Sequence, residues 1–289
     1  MSYKGFSVLD YIIKTNKKHF IDLVIYSTDK NTKNDYSLEI VKLCKNHGLK
    51  FIKRDESKYV SKSKFIIAIS WRWMIDVLHF QKLIVLHDSL LPKYRGFAPL
   101  VNALINGDNE IGVTALWANK EYDKGNIICN SKIKIRYPIK IEKAIYDITN
   151  CYTDLITEIL DNLSIDNLNG VPQNEEEATY SLWRDENDYF INWDDDSHKI
   201  KRFIDAVGYP YNGAKTKIKD ENIIIFEATV IDDVKIENRE NEVGKVIFFI
   251  ENLPVVICKK GLLRLDKAEY ENSQRSIFPL KKFRIKFEN

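Results

Sequence analysis

The chain has 289 residues, 44% of them hydrophobic and 12% aromatic, with only 11 Gly and 7 Pro. This excludes collagen-like, low-complexity and wholly disordered chains, and the length suits two modest domains. Forty-four Lys and Arg stand against 42 Asp and Glu, a net charge of +2, so no overall surplus points to a polyanion partner. From the N terminus, residues 21–26 (IDLVIY), Phe65–Ile69, residues 83–86 (LIVL) and residues 113–117 (VTALW) are apolar, β-branched runs of the kind a sheet covered on both faces requires. Between them, residues 36–46 set Leu38, Val41 and Leu43 on one helical face, with Gly48 as the stop. Further helices are expected over residues 97–106, before Gly107, and over residues 139–163, after Pro138. This alternation predicts an α/β, Rossmann-like doubly wound sheet.

Residues 161–178 (DNLSIDNLNGVPQNEEEA) read as a linker or extended crossing segment, with Glu175, Glu176 and Glu177 a solvated run. A helix follows over Ser197–Val207, its positive end favoured by Asp194, Asp195 and Asp196, with Asp196 or Ser197 as cap. The runs at 223–226, 245–250, 255–258 and 262–265 predict short strands of a small, mostly β, barrel-like or sandwich domain. The expected division is residues 1–178, linker included, and residues 179–289. Cys44, Cys129, Cys151 and Cys258 form no C-x-x-C pair, so neither a metal site nor a disulfide framework is expected, and a reduced, cytoplasmic protein is. No apolar run is long enough for a bilayer, and the opening MSYKGFSVLDYII lacks the pattern of an export signal.

The stretch richest in chemistry is residues 87–99, HDSLLPKYRGFAP, directly after the 83–86 strand. Ligands of open α/β sheets gather at the carboxyl ends of strands. A histidine there can carry protons near neutral pH, and Lys93 and Arg95 beside Gly96 can hold an anion. The loop Glu121-Tyr122-Asp123-Lys124-Gly125 follows the 113–117 strand and can bring a carboxylate to the same edge. A capped strand end with a surface salt bridge is the plainer reading of the same residues.

Together, residues 87–99, Asn106-Gly107, Gly112-Val113-Thr114 and Asp123-Lys124-Gly125 resemble the folate-dependent formyltransferases, in order and in the 36-position gap from His87 to Asp123. Trp183-Arg184-Asp185, Ile191-Asn192-Trp193 and residues 203–214 (FIDAVGYPYNGA) resemble the entry to the C-terminal domain of methionyl-tRNA formyltransferase and the sugar formyltransferases. The resemblance implies formyl transfer from N10-formyltetrahydrofolate to a primary amine, with His87 as proton carrier and oxyanion partner and Asp123 orienting it. It also implies that Trp71, Arg72, Trp73, Met74 and Leu90 flank the folate, and that the protein is a homodimer. In two respects the chain departs from the family. Val85 stands where the family has an asparagine. Its role is left to His87, a backbone amide or a water, to Asn102 or Asn126, or to no group at all in a weakly catalytic folate- or nucleotide-sugar-binding relative. At the amino end, residues 1–6 resemble the loop that follows the family's first strand, so the chain is expected to be shortened or its sheet to start one strand late.

For the acceptor, residues 179–289 hold 19 Lys and Arg against 20 Asp and Glu. That balance disfavours a nucleic acid such as methionyl-tRNA. A nucleotide-linked amino deoxysugar, dTDP-linked by analogy and destined for O-antigen or other bacterial surface polysaccharide, is the expected partner. Ser89, Lys93, Arg95, Gly96 and Arg184 are its candidate anchors, and Tyr94, Trp183, Tyr209 and Tyr211 the candidate platform for its base.

Overall fold

The computed structural model describes residues 2–28, 34–54, 61–164, 168–280, 282 and 284–289. The chain forms two compact units, one of residues 1–100, 109–135 and 143–182, the other of residues 101–108, 136–142 and 183–289.

In the first unit, α1 (Tyr3–Lys14) starts at Ser2, whose hydroxyl accepts the Gly5 N–H at 3.5 Å, and it buries Val8, Leu9, Ile12 and Ile13 on one face. β1 (Val24–Tyr26) leads to α2 (Ser37–His47), which ends at Gly48 with φ 67°, a left-handed cap that glycine adopts without strain. Leu9 and Ile13 meet Ile40 and Cys44 in one apolar cluster, flanked by Val24 and Tyr26 of β1 and Phe51 of β2 (Phe51–Lys53). Leu38, expected on the inner face of α2, is 78% exposed, because Ile40 and Cys44, one turn apart, make that contact instead.

The main sheet runs β3 (Phe65–Ile69), β4 (Lys82–His87), β6 (Glu110–Trp117), β7 (Ile127–Lys134). The expected α/β class holds, but in mixed form: β3 and β4 are parallel, while β4–β6 and β6–β7 are antiparallel. The β6–β7 connection, residues 118–126, is too short for the helical crossover that a parallel pair needs. Outside this sheet, β5 (Arg95–Gly96) pairs in parallel with β8 (Tyr180–Ser181). The short helix α3 (Pro99–Asn106) follows β5, and the long α4 (Ile141–Ser164) buries Ile148, Cys151, Tyr152, Leu155 and Ile159. Residues 168–178 of the expected linker or crossing segment pack onto this unit. Val171 exchanges two 2.8 Å backbone hydrogen bonds with Ile127, and the chain then runs through a 3-10 turn (Glu175–Glu177) into β8.

In the second unit, α5 (Ser197–Val207) is capped by Asp196, which accepts the His198 N–H at 2.8 Å. β9 (Ala214–Ile218), β10 (Glu221–Ile231), β11 (Val246–Ile250), β12 (Leu253–Ile257) and β13 (Leu262–Tyr270) form an antiparallel sheet in the order β11-β12-β13-β10-β9. The C-terminal residues tie its two edges together. Lys217 of β9 bridges Glu288, and Lys245, just before β11, bridges Lys286. Edges paired in this way make the sheet barrel-like and remove the open strands that invite aggregation. β9 is illegible as a strand because three of its five residues, AKTKI, are lysine or threonine. Lys215 is buried there behind Glu186 at 2.9 Å and Glu271 at 2.7 Å.

Among the described residues no helix is long and apolar enough to cross a membrane. All four cysteines are free thiols, and burial raises Cys44 to about 11 and Cys258 to about 12. Phe287, 1% exposed, sits 5.8 Å from the buried Trp193 ring in the segment that joins the barrel edges. Phe287→Ala is therefore expected to cost about 3–5 kcal/mol in urea unfolding followed by tryptophan fluorescence; a loss below about 1 kcal/mol contradicts this closure.

Candidate active site

His87 is the last residue of β4 and is buried. Both of its ring nitrogens face oxygen acceptors. Nε2 lies 2.9 Å from the Tyr94 carbonyl, which can only accept, so Nε2 carries the hydrogen. Nδ1 lies 3.6 Å from Oδ1 of Asp123. The other carboxylate oxygen of Asp123 accepts the Gly96 N–H at 2.8 Å. One loop, residues 92–96, thus holds the histidine through Tyr94 and the aspartate through Gly96.

That loop is strained. Tyr94 (φ 59°) and Ala98 (φ 48°) adopt left-handed backbone, as do Asp123 (φ 55°) and Ser70 (φ 49°). Each costs roughly 1–3 kcal/mol and persists only where the surroundings enforce it. Gly96, at φ 103°, has a specific reason to be glycine: a Cβ there would stand 2.5 Å from the Ser181 carbonyl across the β5–β8 pair. The turn itself is fixed by Thr114, whose hydroxyl donates to Ser89 O at 2.7 Å and accepts the Leu91 N–H at 3.1 Å. Ser89 donates to Lys93 O at 2.6 Å.

Arg95, expected to hold an anion, has another role. It is completely buried, and its guanidinium donates to Gln173 Oε1 at 3.0 and 2.8 Å, to both Glu175 oxygens at 2.8 Å, and to the Tyr180 hydroxyl at 3.2 Å. Those hydrogen bonds hold Glu175 below the usual carboxylate range, so this glutamate is no idle member of a solvated run. The amide of Gln173 then donates to the carbonyls of Asp123 at 2.7 Å and Gly125 at 2.8 Å. Sequence reading missed Gln173 and Glu175 because both lie in polar, linker-like sequence.

Asp88, next to His87, is paired with Lys4 of α1 and accepts from the Tyr152 hydroxyl of α4. Tyr152 is fully buried. Burial first, and then the Asp88 charge, raise its pKa, so it remains a donor. This network anchors β4 to both helices.

The other expected residues are dispersed. Ser89 serves the turn, and Lys93 is exposed. Leu90 packs on Gly112 of β6. Trp71 joins the α1–α2 cluster, and its buried indole N–H has no partner among the described residues. Trp73 lies edge-on to Trp71 at 5.0 Å with the Arg54 guanidinium 4.9 Å above its ring, and Arg72 is exposed. Met74, 78% exposed, receives the Tyr122 hydroxyl at 3.6 Å, and the Tyr122 ring lies 6.0 Å from the exposed Phe97. Tyr122 and Phe97 flank the Asp123 and Gly96 loops and were not anticipated. In the second unit, Arg184 donates to Asn102 Oδ1 at 2.7 Å and to Asp188 O at 3.3 Å, Trp183 and Tyr209 are exposed, and Tyr211 is half-buried. Asn126, the other candidate substitute for the missing amide, is exposed. Among the described residues no group of His, Cys, Asp and Glu is arranged to hold a metal ion.

The structure thus places a buried histidine–carboxylate pair at a strand end of the α/β unit, an arrangement able to move a proton. Residues 74–150 match the Formyl transferase family model, and residues 184–277 match the Formyl transferase, C-terminal domain. Over 258 residues the chain is 30% identical to the methionyl-tRNA formyltransferase of Thermodesulfovibrio yellowstonii, covering 84% of this chain and 81% of that protein. It is 33% identical over 161 residues to the Staphylococcus aureus (strain MW2) enzyme of that name, covering 56% of this chain and 50% of that one. The chain belongs to the formyl transferase family. It spans about half the length of several curated relatives it matches. In fold it is similar to the N-formyltransferase of Helicobacter canadensis, solved with folinic acid and dTDP-3-aminofucose, with a TM-score of 0.67 and 18% identity over 91% of this chain and 95% of that one.

Removing one partner of a buried ion pair strands the other charge. Lys4→Met and Asp88→Asn are each expected to cost about 3 kcal/mol in urea unfolding, and the double variant clearly less than their sum. Additive losses would mean that the two side chains do not act as a pair.

Proposed function

We propose that this chain is an N-formyltransferase that moves a formyl group from N10-formyltetrahydrofolate to the primary amine of a nucleotide-linked amino deoxysugar, for bacterial surface polysaccharide. The observation that carries the reading is the His87–Asp123 pair, 3.6 Å apart at a strand end of a chain in this family. The donor supplies an activated formyl carbon beside a flat pterin and aminobenzoyl ring system. Met74, Tyr122 and Phe97 offer an exposed apolar face of matching character beside the Asp123 loop.

In the reaction a C–N bond forms to the acceptor amine, the C–N10 bond breaks, and one proton passes from the amine to N10. His87 is the proton carrier. Its Nε2–H is engaged by Tyr94 O, so Nδ1, on the longer 3.6 Å contact, is the nitrogen that takes the proton. Asp123 stabilises the imidazolium so formed, and the proton then passes to the leaving N10. Val85 lies on the same face of β4, two residues before His87, and has no donor for an oxyanion, so that task falls to a backbone N–H or, once the proton is taken, to the Nδ1–H of His87.

The near-balanced charge of residues 179–289 and the likeness to the Helicobacter canadensis fold support a sugar acceptor. Methionyl-tRNA is the second reading, favoured by the names of the two sequence relatives. The test incubates the protein with N10-formyltetrahydrofolate and, separately, a panel of nucleotide-linked 3-amino and 4-amino deoxysugars and methionyl-tRNA, with products read by mass spectrometry. One sugar gaining one formyl group is expected, and His87→Asn should lower turnover about 10²- to 10⁴-fold. Formylation of methionyl-tRNA alone supports the second reading, and product from no acceptor overturns both.

A further inference from the structure

We infer that Gln173 is a positioning residue that sets the Asp123 loop against His87, with Arg95 and Glu175 as its anchor. The inference rests on the proposed role of Asp123 as the orienting carboxylate. Asp123 sits in left-handed backbone, which aspartate adopts more readily than most residues but which still costs energy unless its surroundings hold it. Two contacts hold the residue there. Gly96 N–H grips its carboxylate at 2.8 Å, and Gln173 Nε2 grips its carbonyl at 2.7 Å while reaching Gly125 O at 2.8 Å. A single amide NH2 therefore bridges both sides of the turn at residue 124.

The other end of the amide is equally constrained. Gln173 Oε1 accepts two donors from Arg95, which is 0% exposed and is itself held by both oxygens of Glu175. The amide orientation follows from its surroundings: carbonyls surround the nitrogen and a guanidinium the oxygen, so a flipped amide satisfies neither. The result is a continuous chain of hydrogen bonds, Glu175–Arg95–Gln173–Asp123, that ends at the backbone carbonyl of the residue whose carboxylate faces His87. Arg95 also belongs to the loop whose Tyr94 carbonyl holds His87 Nε2. Both members of the catalytic pair are thus referred to one buried guanidinium. Gln173 touches no reacting atom and acts through Asp123.

This position needs a side chain that accepts at one end and donates at the other, and Gln173→Glu separates the two roles. Glutamate keeps, and strengthens, the contact to Arg95 but offers no donor to the Asp123 and Gly125 carbonyls and repels them. The wild type and the Gln173→Glu variant are compared by amide hydrogen exchange over residues 119–127, by melting temperature, and by kcat and KM with whichever acceptor is formylled by the wild type. The expected result is at least tenfold faster exchange in that loop, kcat lowered about tenfold or more, KM for the donor within about twofold, and a melting temperature within a few degrees. Unchanged exchange in the loop overturns the inference, as does kcat within twofold of wild type. If the wild type formylates nothing, the exchange result alone decides the positioning role, and the proposed function fails separately. If Gln173→Glu does not fold, Glu175→Gln, at a largely exposed carboxylate, loosens the same chain from its outer end. It is expected to speed exchange over residues 119–127 to a smaller extent, and no change there counts against the inference.

Discussion

The burial of the Arg95 guanidinium is the constraint on which the rest of the candidate site depends. A guanidinium cannot shed its charge, so placing it at 0% exposure requires every donor direction to be met. Gln173, Glu175 and Tyr180 meet them, and all three come from the segment between α4 and the second unit. That segment is thereby drawn onto the first unit, where β8 pairs with β5 and Val171 with Ile127. The loop bearing Tyr94 and Gly96 is clamped from one side, and from it the orientations of His87 and Asp123 follow.

Much of this was legible in the sequence, and the failures have physical causes. The apolar runs of β3, β4 and β6, and the periodicity of α4 and α5, mark elements that bury mostly apolar side chains. Pattern alone finds these. His87 and Asp123 are legible because an ordered set of motifs surrounds them. Arg95 and Glu175 read as an anion-binding residue and a solvated acid because each, taken alone, is a charged residue in polar sequence. Only the fold, pairing positions eighty apart, turns them into a brace. Gln173 was invisible for the same reason. β7 and β9 were missed because their polar faces are real: one meets solvent, and the other buries Lys215 between two glutamates.

The neighbourhood of His87 has a division of labour. On one side, the 92–96 loop and Asp123 control the ring. On the other, Asp88 ties the strand end to α1 and α4 through Lys4 and Tyr152. The strand end is therefore held from two directions, which is how left-handed backbone at Tyr94, Ala98 and Asp123 is sustained. The Val85 side chain offers no hydrogen-bond donor beside His87 on this strand.

The most direct measurement of this account is the ring-nitrogen NMR spectrum of His87 in the wild type and in Arg95→Lys, with the signal assigned by its loss in His87→Asn. Lysine keeps the charge but cannot reproduce the planar fork that engages Gln173 and Glu175 together. The account predicts a wild-type ring protonated at Nε2, and a clear displacement of both nitrogen signals in a folded Arg95→Lys protein, although Arg95 itself makes no contact with the ring through its side chain. Superimposable His87 signals in the two folded proteins would contradict it, because the buried guanidinium would then have no part in setting the His87–Asp123 pair.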